Sequence, residues 1–369
     1  MTQFYGKTKI CYGEDAMDSL EQLTARQALI VTDHFMVKTG FVDRVKSHLD
    51  RNNIPNIVFA DVESDPSLDT VTNGTRLLLQ NKADLVIALG GGSPIDAAKA
   101  MIYFAHKASD DVLKPTLVAI PTTSGTGSEV TDISVVTDKV KEIKIPLRDE
   151  LLIPDMAILD ARFTRSLPPA ITAATGMDVL THAIEAYTSR QANAFTSIYA
   201  KYAIRYVFDY LLRAYRNGDD MEARENMLLG SCMAGMAFNN SGLGITHSIA
   251  HSLGGIFHVP HGLANAVILP YVIRFNSFDV GLRYQEIAQM LSLPAATVEE
   301  GSASLIQAIF DMNESMGIPT RIGSLKIEED AFTNHADVIA RNVLEDICTG
   351  GNPRRPSHSD ILKLLKEAW

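Results

Sequence analysis

The sequence predicts an α/β domain over residues 1–166 and an all-helical domain over residues 167–369. In the first part, short β-rich apolar runs alternate with helical stretches, which is typical of a parallel sheet with crossover helices. The second part has helical periodicity almost throughout. The pair Pro168-Pro169 lies where the pattern changes and suits a helix entry and a domain boundary. The predicted strands are 28–32, 56–60, 84–89, 116–120 and 156–159.

Bulk properties narrow the class of protein. A chain of 369 residues is long enough for two cores, and 46% apolar with 21% charged residues is ordinary globular composition. The net charge of -11 argues against nucleic acid or an anionic membrane as the main partner. No apolar run is long enough to span a membrane, and the first twelve residues lack the features of a secretory signal. Cys11, Cys232 and Cys348 are far apart and odd in number, which predicts reduced thiols in the cytoplasm.

A glycine triplet follows the third predicted strand. Gly90-Gly91-Gly92 leads into Ser93-Pro94, which opens a helix with proline in its first turn. Glycines let a backbone approach a ligand closely, and free amides at a helix start attract phosphate. A plain glycine turn explains a lone triplet equally well. The pattern is also not the fingerprint of the common Rossmann fold.

Two further polar features follow predicted strands. The loop Pro121-Thr-Thr-Ser-Gly-Thr-Gly-Ser-Glu129 follows the fourth strand, and Asp33 follows the first. Because open α/β sheets bind ligands at the carboxyl ends of their strands, these groups could line one crevice. A carboxylate at the position of Asp33 can bind ribose hydroxyls and repel a 2′-phosphate, although Asp33 alone fits a surface or capping residue better.

The second half contains residues that suit a metal site. Asp178 and His182 are four residues apart in a predicted helix, so they share one face. Four of the ten histidines fall between His247 and His261, and His247 and His251 again share a face. Any one of these histidines alone would more often be structural. Together they indicate a site for a borderline divalent ion such as iron, zinc, nickel or cobalt.

These motifs together resemble the iron-dependent (group III) alcohol dehydrogenases. The resemblance covers essentially the whole chain, and the two histidine-containing motifs are the most specific. It implies the fold of that family, which is shared with dehydroquinate synthase, with a Rossmann-like dinucleotide-binding domain before a helical metal-binding domain. The motifs are 90–99, 121–129, 176–185 and 247–262.

Within the family, three segments are similar to the 1-propanol dehydrogenases of bacterial propanediol utilisation. They are Lys144-Ile-Pro-Leu, 154–160 and 175–182. The alcohol dehydrogenases of ethanolamine utilisation are the neighbouring alternative, because they share the patterns at 344–348 and 352–354.

The family's functional residues carry over to this chain one by one. The resemblance implies a proton-relay role near the nicotinamide for His251, whereas His258 matches no ligand position and is expected in a loop or pocket lining. The implied metal ligands are Asp178, His182, His247 and His261. The implied cofactor-binding residues are Asp33, Gly90, Gly91, Gly92, Ser93, Asp96, Thr122, Thr123 and Lys144.

The implied activity is interconversion of short-chain primary alcohols and aldehydes with NAD(H) and Fe²⁺, in particular reduction of propionaldehyde to 1-propanol. Zn²⁺ or another divalent ion is an alternative metal. A bound ion would hold and polarise the substrate oxygen during hydride transfer. The family also implies a homodimer or larger homo-oligomer. The propanediol branch adds a bacterial microcompartment as a possible location within the cytoplasm, with its proteins as partners.

Three rival functions stay open on the sequence. A zinc polyol enzyme like glycerol dehydrogenase would share the fold with fewer histidine ligands. A lyase of the dehydroquinate type would use NAD and a metal without net NADH turnover. A non-enzymatic metal-binding module would leave the threonine-rich glycine loop at 121–129 without a purpose.

Overall fold

The structure, a computed structural model, describes residues 3–108, 113–141 and 143–369. Its contacts divide the chain into two units. One is Tyr5–Ser166, and the other is Leu167–Trp369, to which Phe4 also belongs. Among the described residues, no helix combines the length and the apolar character that crossing a membrane requires.

A parallel sheet forms the centre of the first unit, as predicted. Its strand order is β1-β8-β5-β4-β2-β3, and each of the five predicted strands lies within one residue of its expected bounds. The edge strand β1 and an antiparallel hairpin of β6 and β7 were not among the predicted strands. The strands are β1 (Lys9–Tyr12), β2 (Ala28–Val31), β3 (Asn56–Phe59), β4 (Leu85–Gly90), β5 (Thr116–Pro121), β6 (Ile133–Asp138), β7 (Ile143–Arg148) and β8 (Met156–Leu159).

Helices cover both faces of this sheet. Alternate residues of a strand point to opposite faces, so Leu29 and Val31 pack with α3 and α4, whereas Ala28 and Ile30 pack with α2. Complete burial of each larger aliphatic side chain stabilises the fold by roughly 1.5–3 kcal/mol. Burial on both faces explains why the strands are continuous apolar runs rather than alternating ones. The helices of this unit are α1 (His34–Lys38), α2 (Phe41–Arg51), α3 (Leu68–Gln80) and α4 (Gly92–Ala108).

The connections from β2 and β4 diverge. These strands are neighbours, but β2 leads to β3 on one side and β4 leads to β5 on the other. A switch of this kind opens a crevice at the carboxyl ends of the two strands. Asp33 and the loop after Gly90 lie at those ends.

The second unit is built from helices, which also confirms the predicted fold class. Helix α5 packs against α6, α7 and α9, and nearly all its side chains from Thr172 to Thr188 are buried. A helix buried all round places even its polar side chains in the core. The helices are α5 (Pro169–Thr188), α6 (Ala194–Arg216), α7 (Met221–Ser241), α8 (Ile245–Phe257), α9 (His261–Met290), α10 (Val298–Ser315), α11 (Glu329–Glu345) and α12 (His358–Ala368).

A buried lysine on α4 holds the segment that follows the β5 loop. The Lys99 side chain is fully buried, and its ammonium donates hydrogen bonds of 2.9–3.0 Å to Ser128, Thr131 and Ile133. One turn earlier, Asp96 accepts from the Ser128 hydroxyl at 2.7 Å. These bonds offset the cost of removing the Lys99 ammonium and the Asp96 carboxyl from water.

In this network, hydrogen bonds compensate only partly for the burial of the Glu129 carboxyl group. It is 1% exposed, and its Oε1 has no hydrogen-bond partner among the residues that the structure describes. Burial outweighs the attraction of Lys99 and raises the pKa of Glu129 from 4.5 to about 7. The folded chain therefore retains this proton at pH values where the unfolded chain has lost it.

We expect Glu129→Gln to weaken the pH dependence of stability. As pH rises from about 4.5 to about 7, the folded state binds more protons than the unfolded state, so the free energy of unfolding falls. The Glu129 carboxyl should account for a fall on the order of 2–3 kcal/mol. Glutamine has no charge to bury and lacks this contribution. The measurement is the urea unfolding midpoint of both chains at about pH 5 and about pH 8; equal declines would contradict the assignment.

Candidate metal centre

Four side chains converge inside the helical unit. Asp178 and His182 lie one turn apart on α5, His247 lies in the first turn of α8, and His261 begins α9. One ligand atom of each lies within 4.8 Å of those of the other three. Asp178 Oδ1 is 3.4 Å from His261 Nε2 and 3.7 Å from His247 Nε2. The structure therefore brings the four predicted ligands into one cluster, and ligation itself stays a prediction.

The Asp178 carboxylate is the central charge of this cluster. It is buried, and burial alone would raise its pKa, but the three neighbouring imidazoles outweigh that effect and hold the pKa of Asp178 well below its usual range. Asn265 Nδ2 also donates to Asp178 Oδ1 at 2.7 Å. An ionised carboxylate at this depth requires such compensation. The cluster is consequently a preformed site in which an ionised carboxylate is surrounded by imidazoles.

Glu185 orients the central histidine and was missed by the sequence analysis. Its Oε2 accepts from His247 Nδ1 at 2.6 Å and from the Gly244 amide at 2.9 Å, and its Oε1 accepts from the Thr246 amide at 2.7 Å. Burial disfavours the imidazolium, but the Glu185 and Asp178 carboxylates raise the pKa of His247 to about 9. A metal ion would displace this proton from Nε2 while Nδ1 keeps its carboxylate.

The orientation of the His247 ring indicates whether the four clustered side chains could bind a metal ion. Because Nδ1 bonds to Glu185, Nε2 is the atom that faces Asp178. This buried Nε2 has no hydrogen-bond partner among the described residues. A buried nitrogen left in this way is costly unless something occupies the space beside it. One carboxylate and three imidazoles suit a borderline divalent ion, so the residues fit such a group.

Asn265 is a second functional residue that the sequence analysis missed. It is fully buried four residues after His261, and its Nδ2 lies 3.1 Å from His261 Nε2 as well as bonding Asp178. The spacing from His261 could have indicated that both side chains share a face of α9. The signal is weak because a buried asparagine has many structural uses.

His251 lies outside the four-residue cluster. Its ring stacks on His261 with centroids 5.4 Å apart, and its side chain is 42% exposed. Its Nδ1 bonds to Asp346 Oδ2 at 2.8 Å, which favours the tautomer with a free Nε2. Asp346 was missed because it is 95 residues away in the chain. His258, also predicted outside the ligand set, is the left-handed residue that ends α8.

Most of the predicted cofactor residues of the first unit lie at or just after the carboxyl ends of β2, β4 and β5, whereas Asp96 lies within α4 and Lys144 on β7. The Thr122 amide donates to the Gly90 carbonyl at 3.0 Å, and the two polar loops lie against each other. A Cβ added at Gly91 would lie 3.3 Å from Thr123, and one added at Gly92 would lie 2.8 Å from Thr126. Close packing of the loops is therefore one physical reason for glycine at these two positions.

The other predicted cofactor residues make structural contacts. Asp33 Oδ1 accepts from the Met36 amide at 2.9 Å and caps α1. Ser93 Oγ accepts from the Asp65 amide at 3.3 Å, and the exposed Lys144 pairs with Asp65 at 2.6 Å. Both carboxylate oxygens of Asp96 accept hydrogen bonds, from Ser128 Oγ and the Val135 amide. Dinucleotide contacts by these residues stay a prediction.

Comparison with known families identifies the fold and the chemistry. Residues 7–161 match the family profile "Iron-containing alcohol dehydrogenase". Residues 172–369 match "Fe-containing alcohol dehydrogenase family, C-terminal". The chain belongs to the iron-containing alcohol dehydrogenase family. Membership confirms the resemblance found in the sequence, and it favours an oxidoreductase over a lyase or a non-enzymatic metal-binding module.

Several members of this family resemble the chain over its full length. It is 43% identical to "NADPH-dependent butanol dehydrogenase" of Clostridium saccharobutylicum, covering 99% of this chain and 97% of the relative. It is 41% identical to "1-propanol dehydrogenase PduQ" of Citrobacter freundii, covering all of both chains. The crystal structure of a 1,3-propanediol oxidoreductase superposes with a TM-score of 0.94 at 32% identity, again covering all of both chains. These similarities confirm the predicted fold.

We expect Glu185→Gln to weaken metal binding by roughly 10–100-fold, the usual effect of losing a carboxylate that orients a histidine ligand. Glutamine can still accept from the α8 amides, but it has no charge to hold the His247 Nδ1 proton. The measurement is metal content per chain in buffers of defined free metal. The control is the exposed pair member Glu222→Gln, which should bind like wild type. If a folded Glu185→Gln chain bound metal with unchanged affinity, Glu185 would not be needed to orient His247 for metal binding.

Proposed function

We propose that this chain is an NAD(H)-dependent, Fe²⁺-dependent alcohol dehydrogenase that interconverts short-chain primary alcohols and aldehydes and reduces propionaldehyde to 1-propanol. The observation that carries the proposal is the convergence of the buried Asp178, His182 and His247 with the partly exposed His261 in the helical unit. Family membership supports iron as the ion, although the same ligand set would also accept Zn²⁺.

The groups that bind to the chain supply the reactive chemistry. A divalent ion on the four ligands would polarise the alcohol or aldehyde oxygen, and the nicotinamide would supply or accept the hydride. The residues of the protein would bind and orient these groups. Glu185 keeps His247 Nε2 directed at the cluster, and Phe238 stacks on His182 with centroids 4.5 Å apart, which keeps water from that side.

His251 is suited to move the proton that accompanies hydride transfer. It is near the cluster but partly exposed, so it can exchange protons with solvent. Its Nδ1 bonds to Asp346. The Asp346 carboxylate would stabilise the imidazolium that forms when Nε2 accepts a proton. His251 is therefore proposed as a catalytic residue rather than as a ligand in the four-residue cluster.

The choice of NAD(H) rests on charge at the switch point of the first unit. Asp33 follows β2, and a backbone bridge sets it beside Asp61, whose carboxylate lies 3.3 Å from His34. Two carboxylates there would oppose a 2′-phosphate. Known relatives use both cofactors, since one is named NADPH-dependent and another, 36% identical over all of both chains, is the "NAD-dependent methanol dehydrogenase" of Bacillus methanolicus.

The names of the relatives support short primary alcohols as the substrate class, and 1-propanol in particular. Ethanol and acetaldehyde, as in ethanolamine utilisation, are the second candidates. We further propose a homodimer or larger homo-oligomer in the cytoplasm, inside a bacterial microcompartment if the propanediol assignment holds.

The experiment is NADH oxidation by anaerobically purified, Fe²⁺-loaded enzyme with aldehydes of about two to four carbons. We expect the highest kcat/KM with propionaldehyde, loss of activity after chelation, and recovery with Fe²⁺. His261→Ala should lose metal and activity together. His251→Ala should keep its metal while kcat falls by about 10²-fold or more, the size expected for a general acid–base group.

Different results would contradict different parts of this proposal. A preference for acetaldehyde would favour the ethanolamine-type enzyme, and zinc-dependent oxidation of glycerol would favour a polyol dehydrogenase. If His251→Ala lacked metal while His261→Ala retained it, the roles of these two histidines would be exchanged.

The cofactor assignment has its own prediction. We expect Asp33→Gly to raise kcat/KM for NADPH relative to NADH, because the substitution removes a negative charge near the expected 2′-phosphate. Exposed Asp69, in the first turn of α3, is a control position, and Asp69→Asn should leave the ratio unchanged. A constant ratio in Asp33→Gly, with the variant folded and loaded with iron, would show that Asp33 does not select the cofactor.

A further inference from the structure

A second group of potential ligands lies beside the four-residue cluster. We propose that His251, Asp346 and Cys348 form a separate divalent-metal site for a soft or borderline ion such as Zn²⁺ or Co²⁺, and that its occupation inhibits the enzyme. One nitrogen, oxygen and sulfur atom of the three side chains lie within 4.8 Å of one another. None of the three belongs to the four-residue cluster.

The local fold holds two of these ligands in place. Asp346 precedes a short 3-10 turn, Ile347–Gly351, and its Oδ1 accepts from the Cys348 amide at 2.8 Å and from Ser248 Oγ at 3.1 Å. Ser248 lies on α8, one turn before His251. With Oδ1 held in this way, Oδ2 is directed at His251. The carboxylate and the imidazole are thus oriented before any ion arrives.

The separations suit a tetrahedral ion with one open position. Bonds of about 2.0–2.3 Å to nitrogen, oxygen and sulfur place ligand atoms about 3.5 Å apart. His251 Nδ1 and Asp346 Oδ2, now at 2.8 Å, must open slightly, and the sulfur must approach. His251 and Cys348 are both incompletely buried, so an ion can reach them from solvent. A solvent molecule would complete the coordination.

Charge also favours a cation at this site. Burial and the Asp346 and Glu185 carboxylates raise the pKa of the Cys348 thiol well above its usual range. The two neighbouring carboxylates, Asp346 and Glu185, make the local potential negative, and a dication would relieve it. With ions at both sites, the carboxylates of Asp178, Glu185 and Asp346 and the Cys348 thiolate balance the two dications.

Binding of an ion at this second site changes the protonation of Cys348 and His251 and removes the proton-transfer function of His251. The Cys348 thiol releases its proton to solvent, and the His251 proton moves from Nδ1 to Nε2 as Nδ1 bonds to the ion. His251 then loses its bond to Asp346 and can no longer accept a proton at Nε2. The inhibition therefore rests on the proton-transfer role given under the proposed function, but the binding does not.

The experiment titrates metal-free, full-length protein with Co²⁺ and follows the charge-transfer absorption of a cobalt–thiolate bond. The four-residue cluster contains no sulfur, so the first equivalent should give no such band and the second should give it. Cys348→Ser should take up the first equivalent and never develop the band. Cys11→Ser, whose thiol lies on β1 in the other unit, should behave like wild type.

A second equivalent of Zn²⁺ added to iron-loaded enzyme should lower kcat by about 10²-fold, as expected when a general acid–base group is lost. Cys348→Ser should turn over normally with one metal per chain and should resist this inhibition. If the chain proves not to be an alcohol dehydrogenase, the cobalt band still decides whether the site exists.

Two results of the cobalt titration would overturn the proposal. One is a wild-type titration whose second equivalent gives no thiolate band, and the other is a band that survives in Cys348→Ser. Alkylation of wild-type Cys348, mapped by mass spectrometry, tests the site even if the serine variant does not fold. The second equivalent should slow this reaction, and an unchanged rate would also contradict the proposal.

Discussion

An ionised carboxylate in a helical core, that of Asp178, sets the conditions that the surrounding residues must satisfy. Helix α5 is covered by α6, α7 and α9, so this side chain has almost no access to bulk water. Removing such a charge from water costs several kcal/mol unless opposite charge and hydrogen bonds compensate. Three imidazoles and the Asn265 amide provide that compensation, and a bound cation would complete it.

The histidines in turn depend on two outer carboxylates that hold successive turns in the N-terminal half of α8. Glu185 bonds the first-turn amides of α8 and the His247 ring, and Asp346 bonds Ser248 and the His251 ring. Helix α8 therefore presents one imidazole to the interior and the next towards solvent. This arrangement explains how two histidines on one helical face, four residues apart, can have different functions.

In the α/β unit, too, hydrogen bonds compensate for the burial of ionisable side chains. The polar loop after β5 is held at its far end by Asp96 and Lys99 of α4, which both bond Ser128. Rigid loops at a topological switch point suit the binding of a flexible, charged cofactor, because less entropy is lost on binding. One Glu129 oxygen has no hydrogen-bond partner in the described part of the chain, which is an unfavourable contribution within this buried polar network.

Much of the architecture follows from local sequence alone. Five strands of the sheet were predictable because a sheet covered on both faces produces continuous apolar runs. Asp178, His182, His247 and His261 could be recognised as possible metal-site residues from their helical spacing and clustering. The hairpin of β6 and β7 was not predictable in this way, because β7 is largely exposed and contains Pro146, so its apolar pattern is weak. The conclusion that all four ligands share one site came from family resemblance.

Only the tertiary structure revealed the outer residues. Glu185, Asn265 and Asp346 are single polar residues inside ordinary helical or loop sequence, and their partners lie up to 98 residues away. No periodicity encodes such a pairing, because it depends on how α5, α8, α9 and the turn after α11 pack. By itself the sequence determined the fold class, the family and the residues able to hold a metal. Packing decided which carboxylate orients which imidazole, since burial makes each polar group bond to whatever partner the neighbouring helix supplies.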